Sequence, residues 1–311
     1  MKVIKGLGGL KRPIRASVIT VGVFDGVHIG HRKILEKIVE RAKALGAGSV
    51  VVTFDPHPLK VLNPKANVPS LISLGHRIRL IESAGVDCLI ILKFTPSLAR
   101  LPADVFIKDI LIGRLGLKEI YVGEDFVFGK GAASGIDALR RSGRRLGFRA
   151  AVVRPVKVNG AVISSSLIRH LITSGDIGMA SRYLGRPVSI LGTVTGGAGR
   201  GRIIGFPTAN VNPHHEAIPP SGVYAVKVRY SSSVLKGVLN IGFRPTFHKK
   251  AELPKDPLVE VHIFGFNGNI YGKDLEIIFV KKLRPERRFK NQEHLAAQIK
   301  KDVGRAHAIS R

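Results

Sequence analysis

Hydrophobic positions in the first half of the chain alternate between two spacings. Residues 17–23 form a run rich in β-branched residues, which is typical of a buried strand. From Gly30 onward, apolar residues recur at helical spacing, and residues 49–54 predict a second buried strand. The pattern then repeats, with helices predicted near 73–84 and 103–115 and strands at 87–92 and 119–122. Strands that alternate with helices indicate a Rossmann-like α/β domain, a parallel sheet covered on both faces that binds ligands at its carboxyl edge.

The second half has a different pattern of short alternating segments separated by Gly, Pro and Asn. Strands are predicted at 188–195, 222–230, 234–241, 258–264 and 275–280, and a helix follows at 291–303. This order favours an antiparallel β-barrel with a C-terminal helix. The pattern changes near residues 183–187, so we expect two domains, 1–185 and 186–311.

Charge is the one unusual bulk property of the chain. Its 311 residues include 50 Lys and Arg against 22 Asp and Glu, a formal net charge of +28. The excess is shared between the halves, with +16 in residues 1–185 and +12 in residues 186–311. We interpret the excess as a solvated basic surface or the mark of a generally basic proteome, and a nucleic-acid-binding protein is the alternative. The absence of Trp and an aromatic content of 6% argue against a groove for single strands, so we expect only non-specific association with nucleic acid.

Two further features of the sequence bear on the cellular location of the protein. No apolar run approaches the ~18–20 residues of a membrane helix, and the run at 18–24 is too short for a signal peptide. Cys88 is the only cysteine, which excludes an intrachain disulfide framework. We expect a soluble cytoplasmic protein without a membrane partner.

The first candidate site is the segment Gly22 to His31, between a predicted strand and a predicted helix. Its glycines let the backbone approach an anion, and the helix that follows presents free N–H groups. His28 and His31 are three residues apart and can stabilise charge on one phosphoryl group. The candidate phosphate-binding residues of this segment are Gly22, Phe24, Asp25 and Gly30.

Three other segments extend this candidate site. Ser165 and Arg169 lie at the start of a predicted helix, where they bind ATP phosphates or, in the alternative, the serines only cap the helix. Asp55, His57 and Asp125 follow later predicted strands, where substrate contacts are expected.

The second candidate site combines a glycine-rich segment with the sequence Gly205 to Asn210. The glycine density permits a phosphate-binding backbone nest or, in the alternative, a simple hairpin, and it does not fit the Walker A spacing. Thr208 and Asn210 are alternate residues of an extended segment, so their oxygens share a face and can bind Mg²⁺. The candidate ATP-binding glycines are Gly192, Gly199 and Gly205.

Glu260 is an acid within an otherwise apolar predicted strand. Such a residue is costly to bury unless it is paired or catalytic, and it can serve as the base that deprotonates a hydroxyl. Alternation allows equally that Glu260 is a carboxylate on the solvent face of the strand. His262 points to the same face and is interpreted as an ordinary surface or core histidine.

Together these motifs, in this order, resemble the prokaryotic bifunctional riboflavin kinase/FMN adenylyltransferases, also called FAD synthetases. The resemblance rests on the segments 22–31, 164–169, 205–210, 240–247, 260–262 and 283–286. It implies a nucleotidyltransferase-type α/β domain followed by a riboflavin kinase barrel, with riboflavin, FMN and ATP as substrates and Mg²⁺ as cofactor. By the same resemblance, His28 and His31 serve adenylyl transfer, Thr208 and Asn210 hold Mg²⁺ with ATP, and Glu260 is the base for the ribityl 5′-hydroxyl. The candidate flavin contacts are Asp55, His57, Asp125 and Arg284.

The chain departs from the family pattern at Ala132, Gly135, Leu167, Gly265 and Asn269, none of which is an assigned catalytic residue. A second enzyme class remains open from the motifs alone. A nucleotidyltransferase with the same histidine motif but another acceptor, fused to an unrelated barrel, explains the first site. It does not explain the second phosphate site at Gly205 to Asn210.

Overall fold

The structure is a computed structural model that describes residues 1–66, 68–196, 201, 205–214, 216–242 and 258–309. The chain divides into two compact units. The first unit comprises Met1–Ser70 and Leu74–Ser165, and the second comprises Leu71–Ser73 and Ser166–Arg311. The helical residues 166–184 therefore group with the second unit.

A six-stranded parallel sheet forms the centre of the first unit. Its strands are β1 (Lys2–Lys5), β2 (Ser17–Val21), β3 (Gly48–Asp55), β4 (Cys88–Lys93), β5 (Leu117–Val122) and β6 (Arg149–Val152). They are arranged in the order β1-β4-β3-β2-β5-β6, with every neighbouring pair parallel. Central residues such as Ile19, Val51 and Ile90 are fully buried, which explains why these strands appear in the sequence as continuous apolar runs.

Helices connect the strands, as the alternating pattern predicts. They are α1 (Ile29–Ala44), α2 (Pro58–Leu62), α3 (Leu74–Ser83), α4 (Pro96–Ala99), α5 (Ala103–Val105, continued by a π-helical segment Phe106–Arg114) and α6 (Ile136–Leu146). Short 3₁₀ turns occur at Leu7–Gly9, Pro64–Ala66 and Lys130–Ala132, and a two-stranded hairpin is formed by β7 (Lys157–Val158) and β8 (Ala161–Val162). On α1 the side chains of Ile34, Leu35, Ile38 and Ala42 are buried, and the helix contacts β2, β3 and β5.

The order in which the chain adds strands reverses between β2 and β5, which is a topological switch point. From β2 the chain adds β3 and then β4 on one side, and it later adds β5 and β6 on the other. The segments that leave β2 and β5 therefore diverge at the carboxyl edge of the sheet, which creates the crevice where such folds bind ligands.

A closed antiparallel barrel forms the centre of the second unit, as predicted. It follows α7 (Ser165–Ser174) and α8 (Ile177–Leu184) and consists of β9 (Ser189–Thr195), β10 (Ala209–Asn212), β11 (Gly222–Tyr230), β12 (Ser233–Gly242), β13 (Leu258–Ile263) and β14 (Asp274–Arg284). Around the barrel the order is β10-β13-β12-β11-β14-β9, and β9 pairs with β10 to close it.

The C-terminal helix α9 (Gln292–Ile309) packs on the outside of this barrel. Its Ala306 is fully buried in a cluster with Val223 and Val238. Asp302 is buried as well, and it forms an ion pair with Arg284 at the end of β14, with Nη2 2.9 Å from Oδ2. Apolar packing and this ion pair therefore hold α9 against β14 and its neighbours.

Candidate functional sites

The segment from Gly22 to His31 lies at the switch point of the sheet, because it connects β2 to α1. Three residues of this connection have positive φ: Phe24 (54°), Gly26 (85°) and Val27 (40°). Such values are strained for non-glycine residues and persist where surrounding packing determines the conformation. Phe24, Asp25 and Val27 are buried, so the loop is packed into the protein.

Two glycines allow aromatic rings to pack against this loop. A Cβ atom at Gly22 would lie 3.1 Å from the Phe24 ring, and one at Gly30 would lie 3.1 Å from the His28 ring. Both distances are shorter than ordinary van der Waals contact, so larger residues would displace the rings. The absence of a side chain at Gly22 and Gly30 therefore leaves room for the rings of Phe24 and His28.

The two histidines of the loop form one compact unit. His28 is the N-cap of α1, and its Nδ1 accepts a hydrogen bond from the His31 backbone N–H at 3.3 Å. The rings stack with centroids 3.7 Å apart, and Phe24 packs against His31 at 5.1 Å. The Nδ1 atom of His31 is buried and has no hydrogen-bond partner among the described residues. Burial, followed by repulsion from His28 and Arg77, holds the pKa of His31 well below its usual value, so the ring is neutral near pH 7.

The other residues assigned to this site occupy several neighbouring segments. The Ser165 hydroxyl donates to the Asp25 carbonyl at 2.8 Å, which ties the start of α7 to the glycine loop. His57 caps α2 by accepting from the Leu59 N–H at 3.1 Å, while Asp55 and Asp125 are exposed. Asp55 ends β3 and Asp125 follows β5, so both lie at the carboxyl edge on either side of β2. Arg169 lies on α7 within the second compact unit.

The residues assigned to the second site lie on adjacent barrel strands. Asn210 on β10 is directly opposite Glu260 on β13, and on its other side it is opposite Thr195 on β9. Glu260 is in turn opposite Asn240 on β12. Directly opposite residues have Cβ atoms ~4.5–5.5 Å apart, so these four polar side chains form one continuous row across four strands. The sequence predicts Asn210 and Glu260 as functional residues, but the pairing of their strands becomes evident only in the structure.

Glu260 is half-buried, whereas its neighbours Val259 and Val261 are buried on the opposite face. The alternation within β13 therefore places Glu260 and His262 on the outer face of the barrel wall. Thr208, immediately before β10, is exposed, and a Cβ atom on Gly201 would lie 3.0 Å from its hydroxyl oxygen. The same Cβ atom would collide with the Phe206 carbonyl oxygen, so the close approach of the backbone explains the glycine at 201.

The candidate glycines of the second site differ in their surroundings. Gly205 is exposed with φ of 82°, a backbone conformation that favours glycine. Gly192 is buried within β9, where a Cβ atom would collide with the Val211 side chain and the Asn212 carbonyl. Close strand packing thus accounts for Gly192, and its role in ATP binding remains a prediction. Gly199 lies outside the described residues.

Arg284, a predicted flavin contact, is engaged within the protein. Besides its ion pair with Asp302, its Nη1 donates to the Pro285 carbonyl at 3.0 Å, and its guanidinium lies 5.6 Å from the Phe289 ring. These contacts hold Arg284 at the end of β14 near α9. Its contact with flavin remains a prediction.

His262 has a partner that the sequence does not indicate. Its Nδ1 lies 2.8 Å from the Pro207 carbonyl, and because a carbonyl only accepts, the ring nitrogen is the donor. Phe206 packs edge-on against the His262 ring at 5.6 Å. His262 therefore binds the segment that leads directly to Thr208 and Asn210.

Two searches of the described residues bear on partners. No group of three or more His, Cys, Asp or Glu side chains is arranged to hold a metal ion within these ranges. Among the helices that the structure describes, none is long and apolar enough to span a bilayer.

Comparison with known proteins gives matches over both halves. A family model for FAD synthetases matches residues 11–167, and one for riboflavin kinases matches residues 184–310. The second match sets aside the interpretation of the barrel as an unrelated fusion.

Curated relatives match over nearly the whole length. The bifunctional riboflavin kinase/FMN adenylyltransferase of Haemophilus influenzae is 37% identical over 99% of both chains. The protein of the same name from Bacillus subtilis is 38% identical over 94% of this chain and 92% of its own. The crystal structure of a protein described as a macrolide-efflux protein of Streptococcus pneumoniae superposes with a TM-score of 0.84 at 28% identity, covering 99% of each chain.

Proposed function

Because the chain belongs to the family of bifunctional riboflavin kinase/FMN adenylyltransferases, we propose that residues 1–185 adenylylate FMN and residues 186–311 phosphorylate riboflavin. The chain is a transferase of flavin biosynthesis that forms FMN and then FAD, with ATP as the nucleotide substrate. The assignment of one activity to each half rests on one observation. The two family models match separate halves of the chain, and each half contains one of the two candidate sites.

In the first half, the reaction is attack by a phosphate oxygen of FMN on the α-phosphorus of ATP. A phosphorus–oxygen bond forms, the bond to the β-phosphate bridging oxygen breaks, and pyrophosphate leaves. FMN supplies the nucleophile, so the protein's task is positioning and charge stabilisation. His28 and His31 would donate hydrogen bonds to the α-phosphoryl oxygens as negative charge develops. Gly22, Phe24, Asp25, Gly30, Ser165 and Arg169 would hold the ATP phosphates.

Three residues near this loop, of which Asp55 and Asp125 are exposed and His57 is half-buried, are assigned to the acceptor. Asp55 ends β3, His57 follows it and Asp125 follows β5. These two strands flank β2, so the three residues lie at the same edge of the sheet as the loop. A flavin that reaches the loop from this edge would bring its phosphate to the α-phosphorus. We assign these three residues to flavin binding on that basis.

In the second half, Glu260 is the base. Its carboxylate would take the proton of the ribityl 5′-hydroxyl while that oxygen attacks the γ-phosphorus of ATP and ADP leaves. The half-buried position of Glu260 supports this role, because a base must remain accessible to substrate while packing holds its orientation. Gly192, Gly199 and Gly205 are assigned to the ATP phosphates, and Arg284 to flavin.

Mg²⁺ is the proposed cofactor of this half. The exposed Thr208 hydroxyl and the Asn210 amide in the same row as Glu260 are oxygen ligands of the kind Mg²⁺ prefers. Two neutral ligands alone do not bind Mg²⁺ tightly. They are enough for an ion that is already bound to the ATP phosphates, whose charge it neutralises. Thr208 and Asn210 would hold this ion beside Glu260, and the space beside Gly201 keeps the Thr208 oxygen accessible.

Three further assignments complete the proposal. The enzyme acts in the cytoplasm, where the ATP that both reactions consume is available. Its partners are the small-molecule substrates riboflavin, FMN and ATP, without a membrane partner, and the charge of +28 gives only non-specific association with nucleic acid.

Fragments of the chain test the division directly. We expect residues 1–185 to convert FMN to FAD without using riboflavin, and residues 186–311 to form FMN only, measured by chromatography of flavins after incubation with ATP and Mg²⁺. A second pair of fragments is cut after residue 165, where the compact units divide, so that residues 1–165 lack Arg169. We expect the fragment 1–165 to form no FAD. FMN formation by residues 1–185, or FAD formation by residues 186–311, would contradict the assignment.

A further inference from the structure

Arg77 is a buried cation near the first site that the reaction chemistry above does not use. It lies on α3 in the first compact unit and is 2% exposed. Burying a charged side chain is costly unless its surroundings compensate for lost hydration. A buried arginine at this position therefore requires a physical reason.

The contacts of Arg77 join two segments of the sheet edge. Its Nη1 donates to the carbonyls of Val23 and Phe54, each at 3.0 Å, and to the Thr53 hydroxyl at 3.2 Å. The Thr53 hydroxyl itself donates to the Val23 carbonyl at 3.0 Å. Val23 belongs to the glycine loop, and Phe54 immediately precedes Asp55. One guanidinium nitrogen thus connects the segment assigned to phosphate binding with the segment assigned to flavin binding.

The charge of Arg77 also acts on both segments. Burial lowers the pKa of Arg77, while the carboxylates of Asp25 and Asp55 oppose that shift. The same charge contributes to the low pKa of His31, after burial and His28. In addition, the buried Nε of Arg77 has no hydrogen-bond partner among the described residues.

We propose that Arg77 is a positioning residue for adenylyl transfer, which holds the glycine loop and the Asp55–His57 segment at the spacing that brings the FMN phosphate to the α-phosphorus. This inference rests on the proposed assignment of residues 1–185. Arg77 acts through the backbone of Val23 and Phe54, so it determines where the reacting groups lie and is not itself assigned to substrate contact. A misplacement of about 1 Å between reacting groups can cost ~10²-fold in rate.

The test compares Arg77→Met with Arg77→Lys in the full chain. A lysine ammonium carries three donors, which match the three acceptors around Nη1, so Arg77→Lys can restore the connection. We expect Arg77→Met to lower kcat for FAD formation from FMN by ~10²-fold, with KM for ATP changed less than about threefold, and Arg77→Lys to recover kcat to within about tenfold of the original. Riboflavin kinase activity of the same samples should stay within about twofold, as an internal measure of intact protein.

A matched control separates positioning from stability. Arg114 likewise has one nitrogen, Nη2, that donates to two carbonyls, those of Leu7 and Leu10, each at 3.0 Å, and its Nε is also buried without a partner in the described part of the chain. We expect Arg114→Met to lower the melting temperature while kcat for FAD formation stays within about threefold. If Arg77→Met does not fold, Arg77→Gln takes its place with the same criteria.

A titration of the histidines gives a readout that does not depend on turnover. The charged or titratable groups acting on His31 are His28 and Arg77, and removing the positive charge of Arg77 should raise the pKa of His31 in NMR titrations of the free protein. Normal kcat in a folded Arg77→Met would overturn the proposal, because the connection between Val23 and Phe54 would then not set the geometry of the reaction. If the original chain forms no FAD from FMN, the proposed function fails, and the titration still decides whether Arg77 acts on His31.

Discussion

The two phosphate sites of this chain are held in different ways. At the sheet edge, His28 and His31 lie three residues apart in a strained loop, and a helix cap, ring stacking and the Arg77 contacts fix their geometry. In the barrel, Asn210 and Glu260 are 50 positions apart in the sequence, and the pairing of β10 with β13 brings them together.

This difference has a consequence for mutation. A strand ladder fixes the spacing of opposite residues through many backbone hydrogen bonds, so losing one supporting side chain leaves the register intact. A loop has no such ladder, and its geometry depends on individual side chains. We therefore expect the barrel site to respond mainly to loss of its reacting groups, and the loop site to respond to loss of its supports as well.

The largest effect is expected from Glu260→Gln. This change keeps the shape of the side chain and the pairing with Asn210 but removes the proton acceptor. Riboflavin-dependent FMN formation should fall by ~10²–10⁴-fold, the usual contribution of general-base catalysis, while nucleotide binding and FAD formation from FMN stay unchanged. The measurement is the initial rate with saturating ATP and Mg²⁺, together with a nucleotide titration and a melting curve.

Thr208→Ala tests the proposed metal ligand of the same site, for comparison with Glu260→Gln, which tests the base. Losing a metal ligand should raise the Mg²⁺ concentration needed for half-maximal rate, an effect that Glu260→Gln should not produce. If Glu260→Gln were fully active, Glu260 would be a solvated strand residue and the base would have to lie elsewhere.

A smaller effect, on the other activity, is expected from His28→Ala combined with His31→Ala. Removing one donor to a developing oxyanion typically costs ~10²–10³-fold, and these two act on a single phosphoryl group. FAD formation should fall by at least that factor while FMN accumulates from riboflavin. Chromatography of the flavin products measures both activities in one sample. Near-normal FAD formation by the folded double variant would exclude this loop as the reaction site.

Much of the fold follows from local sequence patterns. The buried runs at 17–23 and 49–54 and the alternation at 222–230 predict strands that the structure contains as β2, β3 and β11. Strand β1 (Lys2–Lys5) is missed because it is short, carries lysine at both ends and owes its conformation to parallel pairing with β4. The helix α6 is missed because its arginine-rich face obscures an apolar stripe in which Leu139 alone of the large residues is fully buried.

The candidate sites show the same limit. Contiguous motifs such as Gly22 to His31 can be recognised from the residues, since their chemistry is local. Arg77 in its helix and His262 in its strand look like ordinary polar positions, because their importance lies in contacts with Val23, Phe54 and Pro207. Such contacts depend on strand order and register, which cannot be predicted from the local patterns of a single sequence.

The smallest effect tests the comparison itself. His262 supports the barrel site by donating to the Pro207 carbonyl, as Arg77 supports the loop site. His262→Phe removes this hydrogen bond but keeps an aromatic ring against Phe206. Because the β10–β13 ladder remains, we expect kcat for FMN formation to fall by only ~10-fold, the lower end of the cost of losing a residue that orients a metal ligand. FAD formation should not change.

His307→Phe is the matched control for this last prediction. His307 stacks on Phe264 at 4.4 Å, and Phe264 also contacts His262, so the same substitution is made in the same aromatic row away from Pro207. Kinase activity of His307→Phe should stay within about twofold of the original. Equal losses in the two variants would show that the aromatic row, and not the bond to Pro207, supports the site. A ~10²-fold loss in His262→Phe would be as large as that expected for Arg77→Met. It would show that the barrel site depends on its side-chain supports as strongly as the loop site does, because the ladder that fixes Asn210 would not have been enough to preserve the rate.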